Sequence, residues 1–229
     1  MKNMETLKKY LETINKNDCP CSCKFRSEKE IEIALVPPPD EILGIIISRD
    51  PTADWWYFYK YLKTYPHEDI RRKMLFSSAI PLSLINKVLI FMKERIKEND
   101  EKNLFDLIFN KVYWTHLHKC FTDSTKDSLK FRGKNAKKCA NKWLKDELRL
   151  TMANNDTKFI IALGNDVQRW LEGWKKTNRA DIEIIKLPHP SGQNNSIWYR
   201  SKKEKYKSKI EGTWREIEKL ILRMERIDI

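Results

Sequence analysis

Two short polar segments stand where apolar runs end. Residues 43–47 are apolar throughout and lead through Ser48-Arg49 into Asp50-Pro51. A carboxylate at the end of a buried strand sits at the mouth of a sheet, facing a cleft, where it can stabilise positive charge or orient a water. Asp before Pro is also a common turn opener. The second segment, Pro188-His189-Pro190-Ser191-Gly192, follows the strand-like stretch 183–187. Two prolines stiffen the backbone that carries the His189 ring. Ser191, Gly192, Asn194 and Asn195 add small polar groups and backbone donors beside it. An isolated His-Pro says little, whereas His-Pro-Ser-Gly at a strand end is more specific. Cysteine supplies the third set. Cys19, Cys21 and Cys23 crowd together, and Cys120 and Cys139 follow much later. An odd count with a tight cluster argues for metal ligation or free thiols over a disulfide framework. No His-x-x-x-His or His-x-Glu pattern accompanies them, which argues against an open hydrolytic metal site.

The elements that must position these groups read as an α/β chain. Residues 2–16 have apolar positions at helical spacing, and residues 31–35 alternate like a short strand before Pro37-Pro38-Pro39 stops it. Residues 43–47 are a continuous apolar run, as expected of a strand covered on both faces, and residues 112–115, 158–163 and 183–187 read as further strands. Helical patterns fill the spaces at 81–96, 103–109, 135–150, 165–171 and 201–224. Alternation of this kind predicts a three-layer α/β/α fold with a central, mostly parallel four-stranded sheet. Ligands bind beyond the carboxyl ends of such strands. Those ends carry Asp50, residues 116–119, Gly164-Asn165 and His189-Pro190-Ser191. With no repeat, low-complexity stretch or linker, residues 1–229 read as a single domain and a monomer.

Composition narrows the partner. Lys and Arg number 45 against 32 Asp and Glu, a formal charge of +13, which on one domain favours a polyanion, nucleic acid ahead of a membrane surface. A Lys-biased genome would give the same excess. At 41% hydrophobic and 34% charged the chain suits a soluble globular protein. No segment reads as a signal peptide or membrane span, so the expected location is cytoplasmic, intracellular rather than secreted.

Asp50-Pro51 and His189-Pro190-Ser191-Gly192 resemble, in order, the first and second motifs of the uracil-DNA glycosylase superfamily. The stretch between them is similar to the iron–sulfur (family 4) branch. Thr115-His116-Leu117-His118-Lys119-Cys120 resembles that branch's Thr-Asn-Val-Val-Lys-Cys segment, and Cys139 opens a helix as its fourth cysteine does. Phe159 to Gly164 resembles its strand ending in Leu-Gly, and Leu75-Phe76-Ser77-Ser78-Ala79 its Pro-Phe-Val-Gly segment. The likeness runs in order over residues 19–220.

The resemblance implies a DNA glycosylase of base excision repair. It would hydrolyse the N-glycosidic bond of a deaminated base, uracil by default, flipped out of damaged DNA. Asp50 would stabilise the oxocarbenium-like sugar and orient water, and His189 would donate to the base oxygen that gathers negative charge. Phe76, His116 and Pro51 would bind the base. Ser191, Gly192, Asn194 and Lys134 would touch DNA, with the basic loop 120–139 as a phosphate-binding surface. Four of Cys19, Cys21, Cys23, Cys120 and Cys139 would ligate a 4Fe–4S cluster, with zinc or free thiols as the other readings and no nucleotide cofactor. The run Trp55-Trp56-Tyr57-Phe58-Tyr59 would line the pocket or, more often for such spacing, the core. Several positions depart from the family pattern. Ser48-Arg49 replaces Gly-Glu or Gly-Gln, Thr52 replaces Gly or Tyr, Asp50 follows the classical rather than the iron–sulfur motif, and His116 replaces the Asn that reads uracil. Another deaminated base such as hypoxanthine, or a nucleic-acid-binding protein of the same fold with altered catalysis, is the alternative these departures raise.

Overall fold

A computed structural model describes residues 2–16, 36–51, 67–77, 79–97, 99–119, 133–154, 157–178 and 180–225. The chain opens with α1 (Lys2–Lys16) and enters β1 (Gly44–Ser48). After α2 (His67–Ser77), α3 (Ala79–Met92) and α4 (Asp100–Asp106), a π-helical turn (Leu107–Lys111) leads into β2 (Val112–His116). Next, α5 (Gly133–Cys139) passes through a second π-helical turn (Ala140–Leu144) into α6 (Lys145–Asn154). Then come β3 (Phe159–Leu163), α7 (Asn165–Asn178), β4 (Glu183–Leu187), α8 (Asn195–Trp198) and α9 (Lys207–Met224).

The four strands form one entirely parallel sheet in the order β2-β1-β3-β4. β1, β2 and β3 are buried at every residue, which is why their sequences are unbroken apolar runs rather than alternating ones. Alternation survives as a division between faces. Ile46, Val112, Trp114, Ile161, Ile185 and Leu187 pack against α2, α3, α4 and α9, while Ile45, Ile47, Tyr113, Ile160 and Ala162 pack against α1, α5–α6 and α7. The result is the α/β/α sandwich the sequence predicts. The Phe159 ring of β3 lies over Gly44 so closely that a Cβ there would collide with two of its ring carbons, so the β1 entry takes glycine. The exposed edge of β4 is covered too: Glu216 of α9 accepts the Lys186 N–H at 2.8 Å, and Arg223 pairs with Glu183.

Strand order places a topological switch point between β1 and β3, because the chain leaves β1 toward β2 on one side and leaves β3 toward β4 on the other. A crevice must open at the carboxyl ends of these two strands. The short strand expected at 31–35, the aromatic run at 55–59 and Thr52 lie outside the described residues. Helical spacing mis-sized several helices. The one expected at 165–171 continues to Asn178, that expected at 103–109 starts at Asp100 and tightens into a π turn, and that expected from 201 begins regularly at Lys207. Among the described residues no single helix is long and apolar enough to cross a membrane.

Candidate active site

Asp50 stands just beyond the end of the ladder. Past β1 and β2, Leu117 N–H donates to Ser48 O and His118 N–H to Arg49 O, both at 2.9 Å, so pairing holds the backbone up to the residue before Asp50. The Asp50 side chain is 17% exposed and Pro51 after it is buried. Arg49 Nε donates to Asp50 Oδ1 of the next residue. Asp50, Gly164, His189, Ser191 and Asn194 line one cleft of about 1740 Å³ at the switch point.

The turn after β4 is fixed from several sides. Its carbonyl at His189 accepts from Asn194 Nδ2 at 2.9 Å and Trp198 Nε1 at 3.3 Å. Its carbonyl at Pro190 accepts from Lys87 Nζ at 2.6 Å and Ser83 Oγ at 3.2 Å, both from α3. On the β3 side, Gly164 N–H and Gln168 Nε2 both donate to Leu187 O, at 2.9 and 3.0 Å. Gly164 has φ +84°, and a Cβ there would lie 3.4 Å from His189 Cβ. Glycine at this point therefore permits both the turn out of β3 and the close approach of His189.

The His189 ring accepts the Ser191 N–H at Nδ1, 3.2 Å away, so the proton of the neutral ring resides on Nε2. Burial pushes the His189 pKa below its usual value; the Asp50 carboxylate works against this, while Arg49 and Lys87 add to it. The site thus pairs a carboxylate with a neutral imidazole that presents an N–H donor. His116 is buried at the end of β2, and its pKa falls well below the usual value through burial first, then Lys119, His118 and His189.

Behind β2 lies a buried polar cluster. Lys119 and Glu147 side chains are 1% and 0% exposed and form an ion pair. Tyr113 OH donates to Glu147 Oε1 at 2.7 Å, and the Thr115 hydroxyl donates to the same oxygen while accepting from Lys119 Nζ. The Lys119 N–H donates to Cys139 Sγ at 3.3 Å, so the Cys139 sulfur rests one residue from Cys120 in the chain.

The structure brings Asp50, His189, Ser191 and Asn194 together, with Pro51 behind Asp50 and Gly192 exposed at the start of a 3₁₀ turn. Asn194 serves the turn itself, its amide being spent on His189 O. Phe76 is not brought to this cleft. Its ring stacks 4.6 Å from Phe109 and lies 5.8 Å from Phe105, on residues that lead into the amino end of β2. The apolar attraction of that aromatic cluster holds it there, and it does not line the cleft with Asp50. Lys134 falls in the first turn of α5, and Cys139 is buried at its end. Cys19, Cys21, Cys23 and Cys120 lie outside the described residues.

Lys87, Gln168 and Glu147 escaped the reading of the sequence, as did the pairing of Lys119 with Glu147. Lys87 did leave a signal: it is the lone charge in α3, whose other residues are almost all apolar, and a charge on a buried helix demands a partner.

The family model described as the uracil DNA glycosylase superfamily matches residues 62–215 of this chain. The chain belongs to the uracil DNA glycosylase superfamily. No curated protein and no solved structure matches it. The matched span takes in β2, β3, β4 and the His189 turn, and begins beyond Asp50. The His189 turn thus lies inside the match, and the Asp50 segment, which lies before it, shares its cleft.

Proposed function

We propose that this protein is a DNA glycosylase that hydrolyses the N-glycosidic bond of a deaminated base, uracil by default, flipped from damaged DNA. The observation that carries the reading is the pairing, in one switch-point cleft, of the Asp50 carboxylate with a neutral His189 whose Nδ1 is occupied by the Ser191 N–H. When the C1′–N bond breaks, its electron pair leaves with the base. His189 Nε2–H donates to the base oxygen on which negative charge collects, and Asp50 faces the positive sugar and accepts a proton from the attacking water. The C1′–O bond forms as that proton moves, and the base departs as an anion to be protonated by solvent. Arg49 occupies Asp50 Oδ1 and leaves Oδ2 without a partner among the described residues. Lys137, Lys145, Arg169 and Lys209 along the cleft supply cations for the phosphate backbone.

The cysteines support assignment to the iron–sulfur branch. Cys139 is 2% exposed, and its sulfur accepts a backbone N–H next to Cys120, the kind of hydrogen bond that tunes a thiolate-bound cluster. Cys139, the one candidate ligand among the described residues, suits the group. Cys139 and Cys120 would hold a 4Fe–4S cluster with two of Cys19, Cys21 and Cys23, which when bound would brace the loop between them. Iron and acid-labile sulfide in anaerobic protein test that assignment, and zinc alone would overturn it.

Oligonucleotides carrying a single uracil, hypoxanthine, xanthine or thymine mismatch test the activity. Alkaline strand scission at the lesion is expected on at least one. Tight binding with no scission on any of them would instead favour a DNA-binding protein with altered catalysis, as the Arg49–Asp50 ion pair and His116 would then suggest.

A further inference from the structure

Lys87 is 7% exposed, on a helix that packs its apolar residues against the sheet. Its ammonium has three hydrogens and meets three acceptors: Pro190 O at 2.6 Å, Asn195 Oδ1 at 2.7 Å and, more weakly, Ser191 O at 3.5 Å. Two of them belong to the turn that carries His189, and the third is on Asn195, which opens α8 just after it. Among the described residues no carboxylate pairs with Lys87, and burial alone moves its pKa, downward. A neutral donor would have served a purely structural anchor at lower desolvation cost. A cation held only by carbonyl and amide oxygens keeps its charge directed at the turn.

We propose that Lys87 is a positioning residue for His189: from α3, outside the cleft, it holds the Pro190 and Ser191 peptides in place and sets the charge environment of the imidazole. The mechanical part follows from connectivity. Pro190 O lies one peptide from His189, and Ser191, whose carbonyl Lys87 also reaches, donates the N–H that fixes Nδ1. The electrostatic part follows from the charges around the ring. Asp50 from the end of β1 favours the imidazolium, whereas Arg49 beside it, Lys87 from α3 and burial favour the neutral form; His116 at the end of β2 is itself neutral. Without Lys87 the balance shifts toward Asp50, and the ring takes a second proton at higher pH.

The inference rests on His189 acting as the neutral donor, yet it can be tested without turnover. In the full chain, ¹⁵N and ¹³C NMR should find His189 with its proton on Nε2 and a titration midpoint below the usual histidine value. Lys87→Gln, which keeps two donors and removes the charge, should raise that midpoint, whereas Lys87→Arg and Asn195→Ala should leave it near the wild type. Base release, read beside it, should show kcat falling by about tenfold in Lys87→Gln with KM for the oligonucleotide nearly unchanged, since Lys87 does not line the cleft. A Lys87→Gln protein with an unmoved His189 midpoint overturns the proposal, as does an Nδ1-protonated ring in the wild type, a result that requires no variant to fold. Midpoints that shift as expected in a protein that releases no base would uphold the role of Lys87 and sink the glycosylase reading alone.

Discussion

Replacing Lys119 with Met strips the counter-charge from a carboxylate that has no exposed surface. Glu147 would retain two neutral donors, Tyr113 OH at 2.7 Å and Thr115 Oγ1, and burial together with Glu147 keeps the Tyr113 hydroxyl protonated by raising its pKa. Two neutral hydrogen bonds do not replace an ammonium, and breaking a buried pair at one end costs about 3–5 kcal/mol. At about 2–4 °C per kcal/mol for a domain of this size, the melting temperature should fall by roughly 6–20 °C. Adding Glu147→Leu removes the stranded charge. It also leaves Tyr113 and Thr115 without their acceptor, at about 1–3 kcal/mol each, so the double variant should recover part of the loss and not all of it. Thermal and urea unfolding followed by circular dichroism on the wild type, both single variants and the double complete the cycle. A Lys119→Met loss under about 1 kcal/mol, or strictly additive single losses, would refute the claim that the two charges depend on each other.

Gly164→Ala forces a side chain into φ +84° and sets a Cβ 3.4 Å from His189 Cβ. Strain of about 1–3 kcal/mol is expected in unfolding, along with a loss of about tenfold or more in single-turnover base release; full activity in a destabilised variant would make Gly164 a turn residue only. His189 and His116 both have folded pKa values below the unfolded value of about 6.5, so the unfolded chain binds more protons between the two limits. Stability should therefore be complete above pH of about 6.5 and decline as pH falls through the folded values. Urea midpoints across that range check this, and stability that rises on acidification would contradict it.

Much of the fold was legible because complete burial leaves a plain mark. Ile45-Ile46-Ile47 and Ile160-Ile161-Ala162 have no polar alternation, and only strands covered on both faces read that way. Asp50 and His189 were legible because each follows a strand and stands beside a proline. What sequence withheld was pairing. Lys87 meets residues more than 100 positions away, and Glu147 meets Tyr113 34 positions away, distances that helical or strand periodicity does not encode. Phe76 shows the converse: its type and place suited base stacking, but Phe105 and Phe109 offered it an aromatic cluster outside the cleft. The Arg49–Asp50 ion pair was equally unforeseen, since adjacent residues in an extended chain point to opposite sides and only the bend at these two residues brings them together.

The central claim is that Asp50 and His189 break a glycosidic bond together, and Asp50→Asn tests it most directly. Single-turnover release of the base from the preferred lesion, measured beside the dissociation constant for the same oligonucleotide, should fall on the order of 10²–10⁴-fold while binding changes little. An Asp50→Asn protein that releases base at the wild-type rate would contradict the account.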